Sequence, residues 1–379
     1  MERNLELALL EELQGLKNNG HFFLDDSVAP SPIERYGCDR RFEAEKREIF
    51  RREPIVAAHA TEMPESGGFI TREIADLPVL LTRDKEGEVH AFINVCRHRG
   101  ARLVGENSGC KHSFSCPYHA WTWSNTGTLK GIPHEKPGFP GIDRSQYALR
   151  RLPATERHGL IWIVANPDAH ADFEAYLAPL DKDFSWMGMS EMGIAHSEII
   201  LKNANWKLLV EGGIEAYHFK VAHRDTIGPH FLDNLSSYQM LGPHMRSVLP
   251  RTSLPSLDSI PRDKWSIREN ANIVYTVFPG DQFLVMRDHV GWMSFRPLSA
   301  GKTEIRLTTL APKKQITPEK QSHWERNHKI SRITLGEDFE INEAVQSGIA
   351  SGANDSLTFG RYEGALAKFN GVVETRLGI

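Results

Sequence analysis

A chain of 379 residues exceeds what one small core needs, so one large or two moderate domains are expected. With 40% hydrophobic residues, 25% charged residues and a formal net charge of -4, the composition is that of a globular protein. That balance gives no reason for nucleic acid or an anionic membrane as partner.

Met1 to Asn19 reads as an amphipathic helix. Glu2, Glu6, Glu11 and Glu12 lie among its leucines, whereas a secretory signal needs a basic start and an unbroken apolar stretch. No apolar run approaches the roughly 18–20 residues of a membrane span, and Gly159 to Ala165 is only strand-sized. A cytoplasmic protein is expected. Phe42 to Phe50 looks helical. Phe69 to Ile74, Val79 to Thr82, Val89 to Val95 and Leu160 to Val164 are rich in β-branched and aromatic residues and read as strands. Asp84-Lys85-Glu86-Gly87 supplies a hairpin turn between two of them. Further on, strands are expected at His196 to Leu201, Ile273 to Phe278, Val290 to Phe295 and Thr303 to Thr309. Helices are expected at Asn205 to Lys220, Pro318 to Ile330, about Glu337 to Ala350 and Arg361 to Phe369, and a loop at Leu241 to Arg262. Strands with appended helices, without regular alternation, give an α+β fold. It comprises a helical segment over 1–50, an all-β domain over 51–166, and a domain over 167–379 with an antiparallel sheet covered by helices. No Gly-x-Gly-x-x-Gly follows a strand and no phosphate-binding loop is present, so the chain shows no nicotinamide or flavin site of its own.

The four cysteines, Cys38, Cys96, Cys110 and Cys116, are too few for a disulfide scaffold, and metal binding is the better reading. Cys96-x-His98 is followed, after 17 intervening residues, by Cys116-x-x-His119. Each pair offers one thiolate and one imidazole. Thiolates suit one iron of a [2Fe–2S] cluster and two neutral imidazoles the other, a ligation that raises the cluster potential. Gly100 and Pro117 fit tight loops. Two Cys and two His also suit zinc, but zinc fingers pair like with like, and here each pair is mixed. Cys38, Cys110, His90 and His112 fall outside the spacing.

A second constellation is Glu215-x-x-His218-x4-His223. Glu215 and His218 share a helical face, whereas His223 would be rotated by roughly 140° from His218 on a regular helix. Both histidines can reach one metal only if the helix widens or ends between them. Gly212-Gly213 costs about 1 kcal/mol per glycine against alanine, which suits a place where backbone packs closely. Two histidines need a carboxylate to complete a facial triad on Fe(II). Asp225 is close in sequence, but spacing does not single it out.

The run Cys96-Arg97-His98-Arg99-Gly100 to Cys116-Pro117-Tyr118-His119-Ala120-Trp121 resembles the Rieske domain of the ring-hydroxylating oxygenase α-subunits. Asn205-Trp206-Lys207 through His223 is similar to the iron helix of the same family, and the likeness extends over roughly Phe42 to Phe369. The resemblance implies that 51–166 is a Rieske domain and 167–379 a catalytic domain on which the 1–50 segment packs. It implies Asp338 as the third iron ligand, with Glu337 or Glu340 as the fallback. It implies that Glu215, which stands where many members carry aspartate, bridges His218 to a cluster histidine. It further implies a homotrimer in which His119 or His98 of one subunit approaches Glu215 of the next. Dioxygen and a small organic substrate, an aromatic compound or alternatively a quaternary amine, are the expected reactants. Electrons from NAD(P)H would arrive only through a separate reductase or ferredoxin, and Arg97, Arg99 and Arg102 offer a docking surface or merely solvated loop charges. Pocket residues are expected between Ile227 and Pro261 and in the late sheet. Phe231, Tyr238, Phe278 and Phe283 either line that pocket or fill the core. An electron carrier with the cluster alone is the reading from a different functional class.

Overall fold

The computed structural model describes residues Met1–Ile379 and divides into two compact units, Phe50–Phe173 and Met1–Ile49 with Glu174–Ile379.

Unit Phe50–Phe173 is built from antiparallel sheets. Its five-stranded sheet runs in the order Arg151–Leu152, Val89–Ile93, Leu77–Arg83, Gly68–Ile74, Ser108–Cys110. Two three-stranded sheets join it: Ala154–Arg157, Leu160–Ile163, Ile55–His59, and Ser113–Ser115, Thr122–Ser124, Leu129–Gly131. The apolar run at Val79-Leu80-Leu81 is explained by burial on both faces. Val79 and Leu81 pack with Ile70, Ile161 and Ile163 on one side. Leu80 packs with Phe69, Phe92, Trp121 and Trp123 on the other. Each fully buried side chain of this size contributes about 1.5–3 kcal/mol. The second core also contains Cys96 and Cys116, so it fixes the loops that carry them. The expected hairpin turn is present: the Gly87 N–H donates to the Asp84 carbonyl at 3.3 Å, and Gly87 takes φ 90°.

The other unit is centred on a seven-stranded antiparallel sheet. Its order is Met192–Lys202, Lys302–Pro312, Val290–Ser299, Asp281–Val285, Ala271–Val277, His244–Pro250, Ser237–Leu241. The strand His244–Pro250 lies where the sequence suggested a loop. All seven of its positions are buried, so it lacks alternation, and its polar residues disguise it. Arg246 is buried because its guanidinium donates to Asp183 at 2.7 Å and also to Gln239. The two helices expected near 318–330 and 337–350 are one, Gln321–Ala350, which runs through Gly336 without a break. The last helix is Gly364–Leu377, preceded by a turn at Arg361–Glu363. No helix is long and apolar enough to cross a membrane.

The segment expected as one helix over Asn205 to Lys220 is split into Trp206–Gly212 and Phe219–Ala222. Asn205 caps the first piece, its side chain accepting from the Lys207 N–H at 3.0 Å. Inside the same piece Lys207 pairs with Glu45 at 2.6 Å, both side chains fully buried. Glu211 accepts from Tyr36 Oη at 2.9 Å and from Asn370 Nδ2 at 2.8 Å. Burial pushes the Glu211 carboxyl up from 4.5 to about 7, against the pull of those hydrogen bonds and of Lys207. The native protein therefore keeps a proton that the unfolded chain releases. Stability is expected to fall by about 3 kcal/mol as pH rises between those two values, and to change no further above them. Glu211→Gln keeps an acceptor oxygen and cannot ionise. Urea unfolding at low and slightly alkaline pH should show the wild type losing about that much more stability than the variant.

Candidate metal centres

The two Cys/His loops share one backbone pattern. The Cys96 N–H donates to the Ala101 carbonyl at 2.8 Å, and the Gly100 N–H returns to the Cys96 carbonyl at 3.0 Å. Cys116 and Trp121 repeat the first bond at 2.8 Å, and Ala120 and Cys116 the second at 2.9 Å. The fifth residue of each loop is left-handed, Gly100 at φ 78° and Ala120 at φ 55°. Glycine adopts that conformation freely, whereas alanine does so at a cost. The loops bring the imidazoles of His98 and His119 to 4.8 Å between ring centroids, with His98 stacked on Trp121. Both Nδ1 atoms are buried and make no hydrogen bond.

A buried nitrogen without a partner costs about 1–3 kcal/mol. Two of them beside two buried cysteines form a donor set for metal, and the mixed thiolate and imidazole chemistry fits a [2Fe–2S] cluster. Burial pushes the Cys96 thiol up, so a thiolate at this place needs a cation beside it. Cys38 and Cys110 are free, half-buried and exposed respectively, and His90 is bonded to Asp84 at 2.6 Å. Of the nearby arginines, Arg99 lies over the Tyr118 ring at 5.2 Å and Arg102 pairs with Glu73 at 2.8 Å.

The second centre depends on the break after Gly212. A Cβ on Gly213 would meet the Gln282 side chain at 2.4 Å, and one on Gly212 would meet Asn342 Nδ2 at 3.2 Å. The glycine pair thus lets this backbone lie against both the sheet and the long helix. Past the break, His218 stands at the start and His223 at the end of the single turn Phe219–Ala222, so the helix ends and does not widen. His218, His223 and Asp338 offer ligand atoms that all lie within 4.8 Å of one another. Asp338 Oδ1 is 2.9 Å from His223 Nε2 and 3.3 Å from His218 Nε2, yet neither Nε2 makes a hydrogen bond. Burial alone would raise the Asp338 carboxyl, but the two imidazoles outweigh it and hold it below its ordinary range. Two buried nitrogens converging on one carboxylate fit a mononuclear Fe(II) with positions left open. Neither Asp225 nor Glu340 belongs to this group.

Both histidines are oriented from behind. The His218 Nδ1–H donates to Glu215, which also accepts from the Tyr217 N–H. The His223 Nδ1–H donates to Glu337 Oε2 at 2.6 Å, and the Thr226 hydroxyl donates to the same oxygen at 2.6 Å. Glu337, the fallback ligand of the sequence reading, is therefore a hydrogen-bond partner of the candidate ligand His223. The sequence carried no signal for that role, because adjacent carboxylates on a helix are distinguished only by the face on which they fall. A carboxylate on Nδ1 keeps the proton there and the lone pair on Nε2. In Glu337→Gln the amide can donate to Nδ1 and drive the proton to Nε2. The expected result is a roughly 10–100-fold loss of iron affinity, read by titrating the iron-free protein with Fe(II), while the cluster absorption is unchanged.

His223 and Asp338 also face a cavity of about 100 Å³ whose walls include Phe219, Phe231, Val274 and Leu284, and no lysine or arginine. Phe231 thus lines the pocket as one of its expected aromatics. Phe278 and Phe283 are core residues instead, and Tyr238 donates to Asp25 at 2.6 Å.

Residues 53–153 match the family model described as Rieske [2Fe-2S] domain, and residues 188–379 match that described as Ring hydroxylating alpha subunit (catalytic domain). The chain is 37% identical over 230 residues to the glycine betaine monooxygenase oxygenase subunit of Pseudomonas aeruginosa strain UCBPP-PA14, which covers 59% of this chain and 50% of that protein. The toluate 1,2-dioxygenase subunit alpha of Pseudomonas putida is 27% identical over 372 residues, covering 86% and 80%. The chain spans about half the length of the glycine betaine monooxygenase subunits it matches. Among solved structures, the quaternary ammonium Rieske monooxygenase CntA with L-carnitine superposes with TM-score 0.78 at 22% identity, covering 92% of this chain and 96% of that one. Naphthalene 1,2-dioxygenase from Rhodococcus sp. gives TM-score 0.76 at 19% identity, covering 98% of both chains. These superpositions establish a shared fold.

Proposed function

The chain belongs to the ring-hydroxylating α-subunit family, and from that membership we propose that it is the terminal component of a Rieske-type oxygenase, hydroxylating an uncharged aromatic compound with O2 and reductase-supplied electrons. The observation that carries this reading is the convergence of His218, His223 and Asp338 beside an apolar cavity, in a chain that also holds the paired Cys/His loops. When bound, the cluster would supply single electrons and the mononuclear iron would supply oxygen activation. Cys96, Cys116, His98 and His119 would hold the first group, and His218, His223 and Asp338 the second. Glu215 and Glu337 keep a proton on each Nδ1 so that each Nε2 presents a lone pair. The apolar walls orient the substrate and exclude water. The same reading takes Glu215 as the bridge between centres and the working assembly as a cytoplasmic homotrimer. Light scattering should then give about three times the 42.8 kDa chain mass, and a monomer would refute it.

A second reading is oxidation or demethylation of a methylated amine. It rests on the similarity to glycine betaine monooxygenase subunits and on the Phe219–Phe231 edge-to-face pair, 5.3 Å between centroids, which could face a quaternary ammonium. One experiment separates the readings. The purified, pre-reduced protein meets oxygen and a panel of aromatic acids, neutral aromatics and methylated amines, and products are read by mass spectrometry. Added oxygen on a neutral ring supports the first reading, and methyl loss from an amine the second. An intact cluster that reoxidises with no product from any class would sink both and leave the electron carrier.

A further inference from the structure

The cavity beside His223 and Asp338 carries little polarity, and one of its polar groups is fixed in an unusual way. Asn272 stands on the strand Ala271–Val277, its side chain buried and part of the cavity wall. On a strand, side chains two apart share a face, which places Val274 beside it on the same wall. Arg251 donates from Nε to Asn272 Oδ1 at 2.9 Å and from a second guanidinium nitrogen to the same oxygen. Both lone pairs of the amide oxygen are thereby used. The reverse amide orientation would set N–H groups against N–H groups, so the guanidinium decides which way the side chain points. The amide nitrogen has as its partner only the thioether sulfur of Met286, at 3.6 Å, which is a weak acceptor. A buried N–H donor is thus held at an otherwise mostly apolar wall, short of a good acceptor. Ser331 and Thr334, on the long helix, are the other polar side chains there besides the metal-binding pair. Their hydroxyls can donate or accept and so impose no single demand.

We infer that Asn272 is the specificity-determining residue of this cavity, and that the substrate is an uncharged molecule whose apolar body carries a hydrogen-bond acceptor, such as a carbonyl or ether oxygen, placed against the Asn272 amide. The inference rests on the reading of the cavity as the substrate site. An anionic substrate would find no lysine or arginine on the walls. An acceptor-free hydrocarbon would leave the amide donor buried and unmatched, which disfavours it relative to an acceptor of the same shape.

The test uses a shape-matched pair, 1-indanone and indane, with indane-1-carboxylate as the charged control. Their Kd values for the reduced holoprotein are measured by calorimetry without oxygen. The wild type is expected to bind the ketone about tenfold more tightly than the hydrocarbon, and the carboxylate more weakly than either. Asn272→Asp keeps the Arg251 pairing but turns an acceptor towards the ligand. With its cluster absorption intact, that variant should bind the hydrocarbon better than the ketone. Equal binding of ketone and hydrocarbon by the wild type would overturn the inference without any variant, as would binding of neither, or tightest binding of the carboxylate. Ketone preference with no oxygenation of either neutral compound would support Asn272 as the acceptor reader while counting against the oxygenase reading.

Discussion

Asp338→Ala is expected to lower the iron content from about three to about two atoms per chain and to bring turnover to background, with the cluster absorption and folding unchanged. The expectation follows from charge. His218 and His223 would be neutral donors to a metal, so only Asp338 would offset the dication among the three proposed ligands. Its Oδ1 lies 2.9 and 3.3 Å from the two Nε2 atoms, so one carboxylate serves both. Glu215 and Glu337 cannot replace it, since each is occupied on the far side of a ring by an Nδ1–H. Metal analysis with the absorption spectrum checks the outcome. Three irons and undiminished turnover in the variant would show that another carboxylate, Glu337 first, completes the site.

Cys116→Ser is expected to remove the other two irons, bleach the visible absorption, abolish turnover and lower the melting temperature. Cys116 and Cys96 both belong to the buried core that contains Trp121 and Trp123. Losing one thiolate releases the loop Cys116–Trp121, whose backbone is otherwise held by two hydrogen bonds. The His98 and His119 Nδ1 atoms, buried and without hydrogen bonds, would then lack any compensating partner. Because metal binding and folding share one free energy, the loss should appear in stability as well as in activity. Calorimetry together with iron and acid-labile sulfide assays reads both. A variant that keeps two cluster irons and the wild-type melting temperature would place the cluster elsewhere.

The paired Cys/His loops were legible because Cys-x-His and Cys-x-x-His are local: each pair lies on one short loop, and the spacing itself carries the geometry. The α+β class and the eight expected strands, each of which is present among the twenty of the fold, were legible for a related reason, since period-two patterns and β-branched runs report on near neighbours; the division into Rieske and catalytic regions came from the resemblance. His244–Pro250 escaped that reading because a strand buried on both faces has no period, and its arginine is neutralised by Asp183, distant in sequence. His218 and His223 were visible as a candidate pair, but their convergence was not. A regular helix would have turned His223 away, and the chain solves this by ending the helix at Gly212, where sheet and long helix press on the glycine pair.

The sequence by itself determined which side chains could bind metal, and its likeness to a family named Asp338. Only the tertiary structure decided that Asp338 meets the two imidazoles while its neighbour Glu337 supports His223 from behind. It alone decided which of the aromatics line the cavity and that Arg251 fixes the Asn272 amide. The physical reason is range: spacing specifies contacts within a loop or turn, whereas a site shared between a broken helix, a sheet and a distant helix exists only once their packing has set the register.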